Sequence, residues 1–267
     1  ARPGPVISVA EQVRCLTFRG ASHAVIAMWD DAPPPGGRTV AMQLGTAGRQ
    51  VDLWGRSTPL RRDASGRHLV TISATPVLIE QVEPWAIDFA TSVSMEPAVI
   101  ESGTELVRQE IVLDCAAAAS MSGNGVLDPP PGIEVSPRAF SFTACAGEPV
   151  RIPVQVRYPH NEPAGEKKFV ARITRVDPAY YFEILMTVEV RMSDIEVSGR
   201  ATIERGDLLL RHTLRNQSQS VVSFRSIAGV PGRQRQYRPV SNLGPGETQT
   251  LEYRFRDAAN LIGRRVN

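Results

Sequence analysis

Val51–Val82 reads VDLWGRSTPLRRDASGRHLVTISATPVLIEQV and is the best-patterned stretch of the chain. Two runs in which apolar and polar residues alternate flank a loop rich in Arg, Asp, Ser and Gly, and the stretch closes on Thr75-Pro76-Val77. Alternation of period two is typical of half-buried β-strands, and this loop composition is typical of turns. The stretch therefore predicts antiparallel strands joined by tight turns.

The same pattern continues along the whole chain. Short runs rich in β-branched and aromatic residues recur every eight to twelve residues or so, without a helical period between them, as in sandwiches and barrels. We expect at most eight strands before Glu83-Pro84, the first at Val6–Val9. Ile87–Ala90 is predicted as a strand, and Leu261–Val266 as another that begins where the chain ends. The fold class predicted is all-β, with tandem antiparallel, immunoglobulin-like β-sandwiches.

A chain of 267 residues is longer than one typical domain and can bury two or three small cores. We expect three units: a β-sandwich over 1–84, an immunoglobulin-like sandwich over 85–192, and a third sandwich over 193–267. The third would be truncated inside its last strand. Together with a start at Ala1, this suggests a processed or excised piece of a longer polypeptide.

Composition narrows the class of protein. Hydrophobic residues at 42% and charged residues at 22% are typical of a globular protein, and no apolar run is long enough to cross a bilayer. The net charge of +2 and the sparse aromatic residues do not favour a nucleic-acid partner. Three cysteines are too few for a disulfide framework or a zinc site, although Cys115 and Cys145 could form one bridge. No cofactor is predicted.

Residues that could carry chemistry are scattered. The four histidines, at positions 23, 68, 160 and 212, lack metal-site spacing, so we expect no metal site and place them in turns or facing solvent. Asp30-Asp31 and the pair Glu80 and Glu83 are expected to be solvated loop or strand-end charges, with a general acid and base as the alternative. No G-x-S-x-G motif is present. We predict no catalytic residue.

Three tryptophans are the candidate carbohydrate-binding residues: Trp29, Trp54 and Trp85. An exposed indole offers a face on which the C–H side of a sugar ring can pack. The alternative is a structural role for each ring. Trp29 would end a core strand, Trp54 would fill the sandwich beneath its turn, and Trp85 would wedge the boundary between the first two units.

Several segments resemble accessory domains of carbohydrate-active proteins. AVIAMWDD after His23, RTVAMQLG, VDLWGRSTPL and ATPVLIE resemble the small β-sandwich that follows the catalytic barrel in several bacterial glycoside hydrolases. IEVSPRAFSFTACAGEPVRIPVQV and NEPAGEK resemble immunoglobulin-like domains appended to secreted proteins, and NLGPGETQTLEYRF is similar to a further domain of that kind. The family's catalytic carboxylates belong to the barrel, so the resemblance implies no enzyme activity here.

Three functions remain open on the sequence. The first is a non-catalytic accessory region of a secreted or periplasmic carbohydrate-active protein, whose partner is the catalytic domain of the parent chain. The second is a carbohydrate-binding module, whose partner is a polysaccharide and which requires exposed aromatic residues. The third is a bacterial cell-surface adhesion segment that binds protein.

Overall fold

The computed structural model describes residues 2–3, 7, 9–10, 12–20, 22–103, 105–114, 121–145, 147–159, 162–176 and 179–258. The chain divides into two compact units, Ala1–Val190 and Arg191–Asn267. Antiparallel strands dominate both units, which confirms the all-β prediction. The first unit contains two separate hydrophobic cores, one in each of two β-sandwiches.

The first sandwich is built from nine short strands. They are β1 (Arg2–Pro3), β2 (Val13–Arg19), β3 (Ala24–Asp30), β4 (Arg38–Met42), β5 (Arg49–Val51), β6 (Ser57–Pro59), β7 (Arg61–Arg62), β8 (His68–Ile72) and β9 (Val77–Val82). One sheet has the order β1-β2-β3-β9-β5-β6 and the other has the order β4-β8-β7. Alternate residues of β3 and β9 point inward, and Ile26, Met28 and Ile79 are fully buried.

Two strand predictions in this sandwich need correction. The count exceeds the predicted maximum of eight because β6 and β7 are too short to show a period. Val6–Val9 was predicted as a strand, yet its described residues Ile7 and Val9 lie in no strand. Ile7 is nevertheless buried in the first core, so its apolar character reflects packing without a ladder.

The second sandwich pairs a four-stranded sheet, β10-β12-β16-β14, with a five-stranded sheet, β11-β18-β17-β13-β15. The strands are β10 (Val93–Glu96), β11 (Val99–Glu101), β12 (Leu106–Leu113), β13 (Met121–Asp128), β14 (Glu134–Ser136), β15 (Ala139–Ala144), β16 (Val150–Arg157), β17 (Gly165–Arg175) and β18 (Tyr180–Arg191). The chain passes between the two sheets at cis-Pro97 and again at cis-Pro137.

A helix, α1 (Pro84–Ser92), joins the two sandwiches. The prediction of a strand at Ile87–Ala90 is therefore wrong. Pro84 occupies the first turn, where its missing N–H costs nothing, and the apolar residues that follow are spaced to face two cores. Ile87 is buried in the first core and Phe89 in the second. Four residues rich in β-formers are too few to distinguish a strand from a buried helix.

Glu83 fastens the start of this helix to the first sandwich. Its amide donates to the Leu44 carbonyl at 2.9 Å, and its carboxylate accepts hydrogen bonds from the Thr46 amide at 2.7 Å, the Thr46 hydroxyl and the Trp85 indole. Between these residues Gly45 adopts φ +101°, and a Cβ there would lie 2.4 Å from Cδ of Glu83. The turn can approach Glu83 only because residue 45 has no side chain.

Arg67 forms a second link between the two sandwiches. Its guanidinium contacts the Glu183 carboxylate of β18 at 2.5 Å and lies 5.0 Å from the ring centroid of Tyr181. Nε of the same side chain donates to Asp63 at 2.8 Å. Because the Arg67 side chain is largely buried, these contacts are screened less than ordinary surface ion pairs.

The second unit is a smaller sandwich. Its strands are β19 (Ile195–Glu204), β20 (Asp207–Asn216), β21 (Val222–Ala228), β22 (Gln236–Leu243) and β23 (Thr248–Phe255), in sheets of order β19-β20-β23 and β21-β22. Leu208, Leu210, Tyr253 and Phe255 form its main core. The predicted strand Leu261–Val266 lies outside the described residues.

Gly45→Ala tests how tightly the helix start is held. The added methyl group would collide with Glu83 and force a left-handed backbone on alanine, so we expect the free energy of unfolding to fall by about 2–4 kcal/mol. Gly55→Ala is the matched control, because Gly55 has φ +80° but open space around its Cβ position, and should cost only about 1 kcal/mol. Equal losses for the two variants, measured by urea unfolding, would contradict the close approach.

Candidate binding site

The hairpin between β5 and β6 ends in a five-residue turn, Asp52–Arg56, held by its first and last residues. The Asp52 amide donates to the Arg56 carbonyl at 3.1 Å, and the Gly55 amide donates to the Asp52 carbonyl at 3.0 Å. One Asp52 carboxylate oxygen accepts from the amides of Trp54 and Arg56, both at 2.9 Å. The other accepts from the Arg56 guanidinium at 2.7 Å. The turn is thus fixed from within.

The Asp52 carboxylate is held ionised by this turn. Desolvation raises its pKa, but the hydrogen bonds from the Arg56 amide and guanidinium and from the Trp54 amide outweigh that effect. The net pKa of Asp52 lies below its ordinary value. The turn therefore keeps its charge, and with it its hydrogen bonds, across the neutral pH range.

Two large apolar side chains project from this turn. Trp54 is 73% exposed and Leu53 is 59% exposed. The Arg56 guanidinium lies over the indole, 5.3 Å from its centroid, which is within cation–π distance. The prediction that Trp54 fills the sandwich beneath its turn is wrong. We call Leu53, Trp54 and Arg56 the tip.

A second turn of the same construction shows that the fold does not require an apolar tip. Asp63–Arg67 has the same first, fourth and fifth residues, D-x-x-G-R, and the Asp63 carboxylate accepts from the amides of Ser65 and Arg67 at 2.9 Å. Its two variable positions hold Ala64 and Ser65 where the first turn holds Leu53 and Trp54. The indole is therefore an addition to a turn that closes equally well without it. This five-residue motif, repeated at a spacing of eleven residues, is the signal in the sequence that distinguishes Trp54 from the other two tryptophans.

The other two candidate tryptophans are engaged in the fold. Trp29 is half-buried, and its indole N–H donates to Asp31 at 3.1 Å. Trp85 is half-buried on α1, stacks on Tyr180 at 4.7 Å between centroids and meets Phe182 edge-on at 6.0 Å. The structure does not bring the three rings together into one surface. Of the three, Trp54 alone presents most of its ring to solvent.

Several polar residues were expected to face solvent and do not. Asp30 is fully buried, and its carboxylate accepts from the Arg38 guanidinium at 2.6 Å and from the Ala32 amide at 2.9 Å. Both hydrogen bonds lower the pKa of Asp30, and the bond from Arg38 has the larger effect. The Glu83 carboxylate accepts hydrogen bonds from Thr46 and Trp85 at the start of α1, as described above. Both carboxylates are thus engaged in hydrogen bonds within the fold.

His68 is also buried, against the expectation of a solvent-facing or turn histidine. Desolvation lowers its pKa, and the charge of Arg62, whose Nε donates to His68 Nε2 at 3.3 Å, lowers it further. His23 is exposed, His212 is partly buried, and His160 lies outside the described residues. Within the described ranges no three His, Cys, Asp or Glu residues are grouped so that they could hold a metal ion.

The thiols have separate environments. Cys15 is buried in the first core, where desolvation raises the pKa of its thiol to about 12. Cys145 is free and exposed. Cys115 lies outside the described residues, and so does the Cys115–Cys145 bridge that the sequence left open. Among the described residues the longest helix is α1, whose nine residues are too few to cross a membrane.

No protein-family model and no curated protein matches the chain. Solved structures do. The E. coli chaperone DraB is 12% identical, with coverage of 61% of this chain and 97% of that one and a TM-score of 0.25. The FN1–FN3 domains of chicken CNTN1 are 9% identical over 95% and 99% of the two chains, with a TM-score of 0.22. WR4, a C. elegans MSP family member, is 12% identical over 38% and 98%, with a TM-score of 0.26.

These likenesses concern the fold alone. At these identities and TM-scores they identify no family and no function, and the all-β class rests on the strands of the structure itself. They give no evidence of a relation to glycoside hydrolases.

The exposure of Trp54 can be measured in solution. The chain has three tryptophans, so Trp54→Ser should remove the most solvent-exposed emitter, shift the remaining emission to the blue and lower its quenching by acrylamide. Serine stands at the corresponding position of the second turn, so the free energy of unfolding should change by no more than about 0.5 kcal/mol. Trp29→Phe is the control and should leave a strongly quenched emitter. Unchanged quenching in the Trp54 variant would contradict an exposed indole.

The two turns also provide a matched pair of arginines. Arg67→Ala removes the contacts with Glu183 and Tyr181 and should lower the free energy of unfolding by about 1–3 kcal/mol. Arg56→Ala removes the corresponding bond to the aspartate of its own turn but no contact with the second sandwich, so its effect should stay within about 0.5 kcal/mol. Equal effects in urea unfolding would show that Arg67 contributes only to its own turn.

Proposed function

We propose that this chain is a non-catalytic accessory region of a larger carbohydrate-active protein, secreted or periplasmic, and that it binds polysaccharide through the tip. The observation that carries the proposal is the 73% exposed Trp54 on a turn that does not need it. Exposing a large aromatic ring to water is unfavourable, and this ring is not needed to close the hairpin. An exposed aromatic residue without a structural role is typical of a binding site. The sequence resemblance to accessory sandwiches supplies the class of parent protein.

The geometry of the tip suits a sugar ring. The indole offers a flat apolar surface for the C–H face of a pyranose, and Leu53 extends this surface along the turn. The Arg56 guanidinium, with its side chain well exposed, has donors free to reach sugar hydroxyls beside the ring. Because the Asp52 network fixes the turn before binding, little conformational entropy is lost on contact.

With one exposed aromatic ring at the tip for a sugar to stack on, the affinity for polysaccharide should be low. Trp29 and Trp85 do not add exposed stacking surfaces, so binding through the single tip should be weak. An accessory region tethered to a catalytic domain gains from such weak contacts, because they keep the enzyme near an insoluble or extended substrate without holding it in place.

Affinity electrophoresis through gels that contain a panel of soluble polysaccharides tests the proposal. We expect at least one polysaccharide to retard the chain and Trp54→Ser to bind it at least about tenfold more weakly, because a central aromatic anchor is lost. Ser65→Ala, at the equivalent position of the second turn, is the control and should leave retardation unchanged. If no polysaccharide retards the chain, the glycan-binding proposal is wrong. If the Trp54 variant is retarded as strongly as the wild type, the chain binds glycan elsewhere than at the tip.

The accessory role has a separate test. Translating the coding sequence upstream of Ala1 should reveal the alternating strand and helix pattern of a catalytic (β/α) barrel. Further β-sandwich repeats in its place would favour a surface segment that binds protein, the third function left open by the sequence.

A further inference from the structure

Strand β19 forms an edge of the sheet β19-β20-β23 in the second unit. It pairs with β20 without interruption from Ile195 opposite Asn216 to Glu204 opposite Asp207. No other strand in the described part of this unit pairs with it. A strand with one neighbour carries a row of backbone N–H and C=O groups on its outer side. In β19 this row is ten residues long.

The face of β19 directed toward the core is apolar but covered only at its first residue, Ile195. Directly opposed residues in an antiparallel pair lie on the same face, and Val197, Ala201 and Ile203 lie opposite the buried Leu214, Leu210 and Leu208. Yet Val197 is 59% exposed and Ile203 is 41% exposed. The intervening positions carry Glu, Ser, Arg, Thr and Glu. Ile195, at the start of the strand, is buried, whereas the apolar side of β19 from Val197 onward remains in solvent.

The strand lacks most of the usual protection of an edge. Natural edges are kept short or carry proline, a bulge or charged side chains, lysine above all, and of these β19 has only Glu196, Arg200 and Glu204. The described edge strands of the first unit run from two to six residues. β19 reads IEVSGRATIE, with no proline or lysine, and its register with β20 has no bulge.

We propose that β19 pairs with β19 of a second copy of this chain, antiparallel and centred on Gly199. In this register Ile195 lies opposite Ile203 of the other copy and Val197 lies opposite its Ala201, so the two apolar strips become one. On the other face Glu196 lies diagonal to Arg200 of the other copy, twice by symmetry. Glycine on the twofold axis leaves the two backbones free to approach.

Neighbouring symmetric registers fit less well. Shifting the axis to Arg200 places Arg200 opposite itself, and like charges directly opposite each other destabilise a sheet. Shifting it to Ser198 leaves Ile203 without an opposite residue in the other strand. The sequence of β19 is thus self-complementary about Gly199, as a twofold interface requires. This inference uses residues of the second unit only and is independent of glycan binding by the tip.

Sedimentation velocity on the full chain, from about 1 µM to about 200 µM, tests the pairing. We expect a mass that rises with concentration to twice that of one chain. Val197→Lys with Ile203→Lys should remain monomeric throughout, because an inward lysine blocks edge pairing. Val221→Lys is the control, since Val221 is 60% exposed in the same unit but lies outside β19, and should dimerise like the wild type.

Disulfide trapping tests the register. With Cys115 and Cys145 replaced by serine, Gly199→Cys should form a cross-linked dimer under mild oxidation, because self-opposed residues of antiparallel strands have Cα atoms within disulfide range. Ser198→Cys and Arg200→Cys should cross-link far less. A wild type that stays monomeric at every concentration, or a lysine variant that dimerises equally well, would overturn the proposal. Stronger trapping at position 198 or 200 than at 199 would overturn the register.

Discussion

The burial of one short helix in two cores is the constraint on which the first unit depends. β9 ends at Val82, α1 begins at Pro84 and ends at Ser92, and β10 begins at Val93, so no free linker separates the sandwiches. Ile87 and Phe89, two residues apart, enter different cores. Neither sandwich can move away without exposing one of these side chains, each worth about 1.5–3 kcal/mol when fully buried. Glu83 and Arg67 add polar contacts to this apolar link.

Because the two sandwiches are held together, one D-x-x-G-R turn contacts the second sandwich while the other remains exposed. The two turns therefore have different roles. Both close by the same aspartate hydrogen bonds, and both end in an arginine that returns to that aspartate. The turn at Asp63 faces the second sandwich, and its arginine is used there, so small residues suffice at its variable positions. The turn at Asp52 has an exposed arginine and carries Leu53 and Trp54. The same backbone thus serves packing in one place and presents an apolar surface in the other.

Local patterns predict the strands and fail where tertiary context decides. A strand with one buried face must alternate, and β2, β3, β8 and β9 show this alternation of buried and less buried residues. Ile87–Ala90 failed because four residues satisfy a strand and a helix equally, and only the two cores select the helix. Burial of Trp54, Asp30 and His68 was misjudged because adjacent letters do not show what packs across the sandwich. The paired D-x-x-G-R turns were readable from the sequence and would have separated Trp54 from the other tryptophans.

β19 shows a different limit of the sequence, because its pattern of alternation does not reveal its position in the sheet. Its alternation indicates a strand with one face in a core, and the structure contains that strand. What alternation cannot supply is a second neighbour, since sheet order is a property of the whole unit. β19 has the alternating sequence of a strand inside a sheet, but it lies at the edge of its sheet. It therefore exposes unpaired backbone groups and apolar side chains together. Backbone groups of antiparallel strands can pair in many registers, so the side chains must select one. The self-complementary order of residues about Gly199 therefore carries more weight than the exposed area itself. Exposed valine and isoleucine occur singly on many surfaces, whereas this spacing along an unpaired ladder is what a matching strand would recognise.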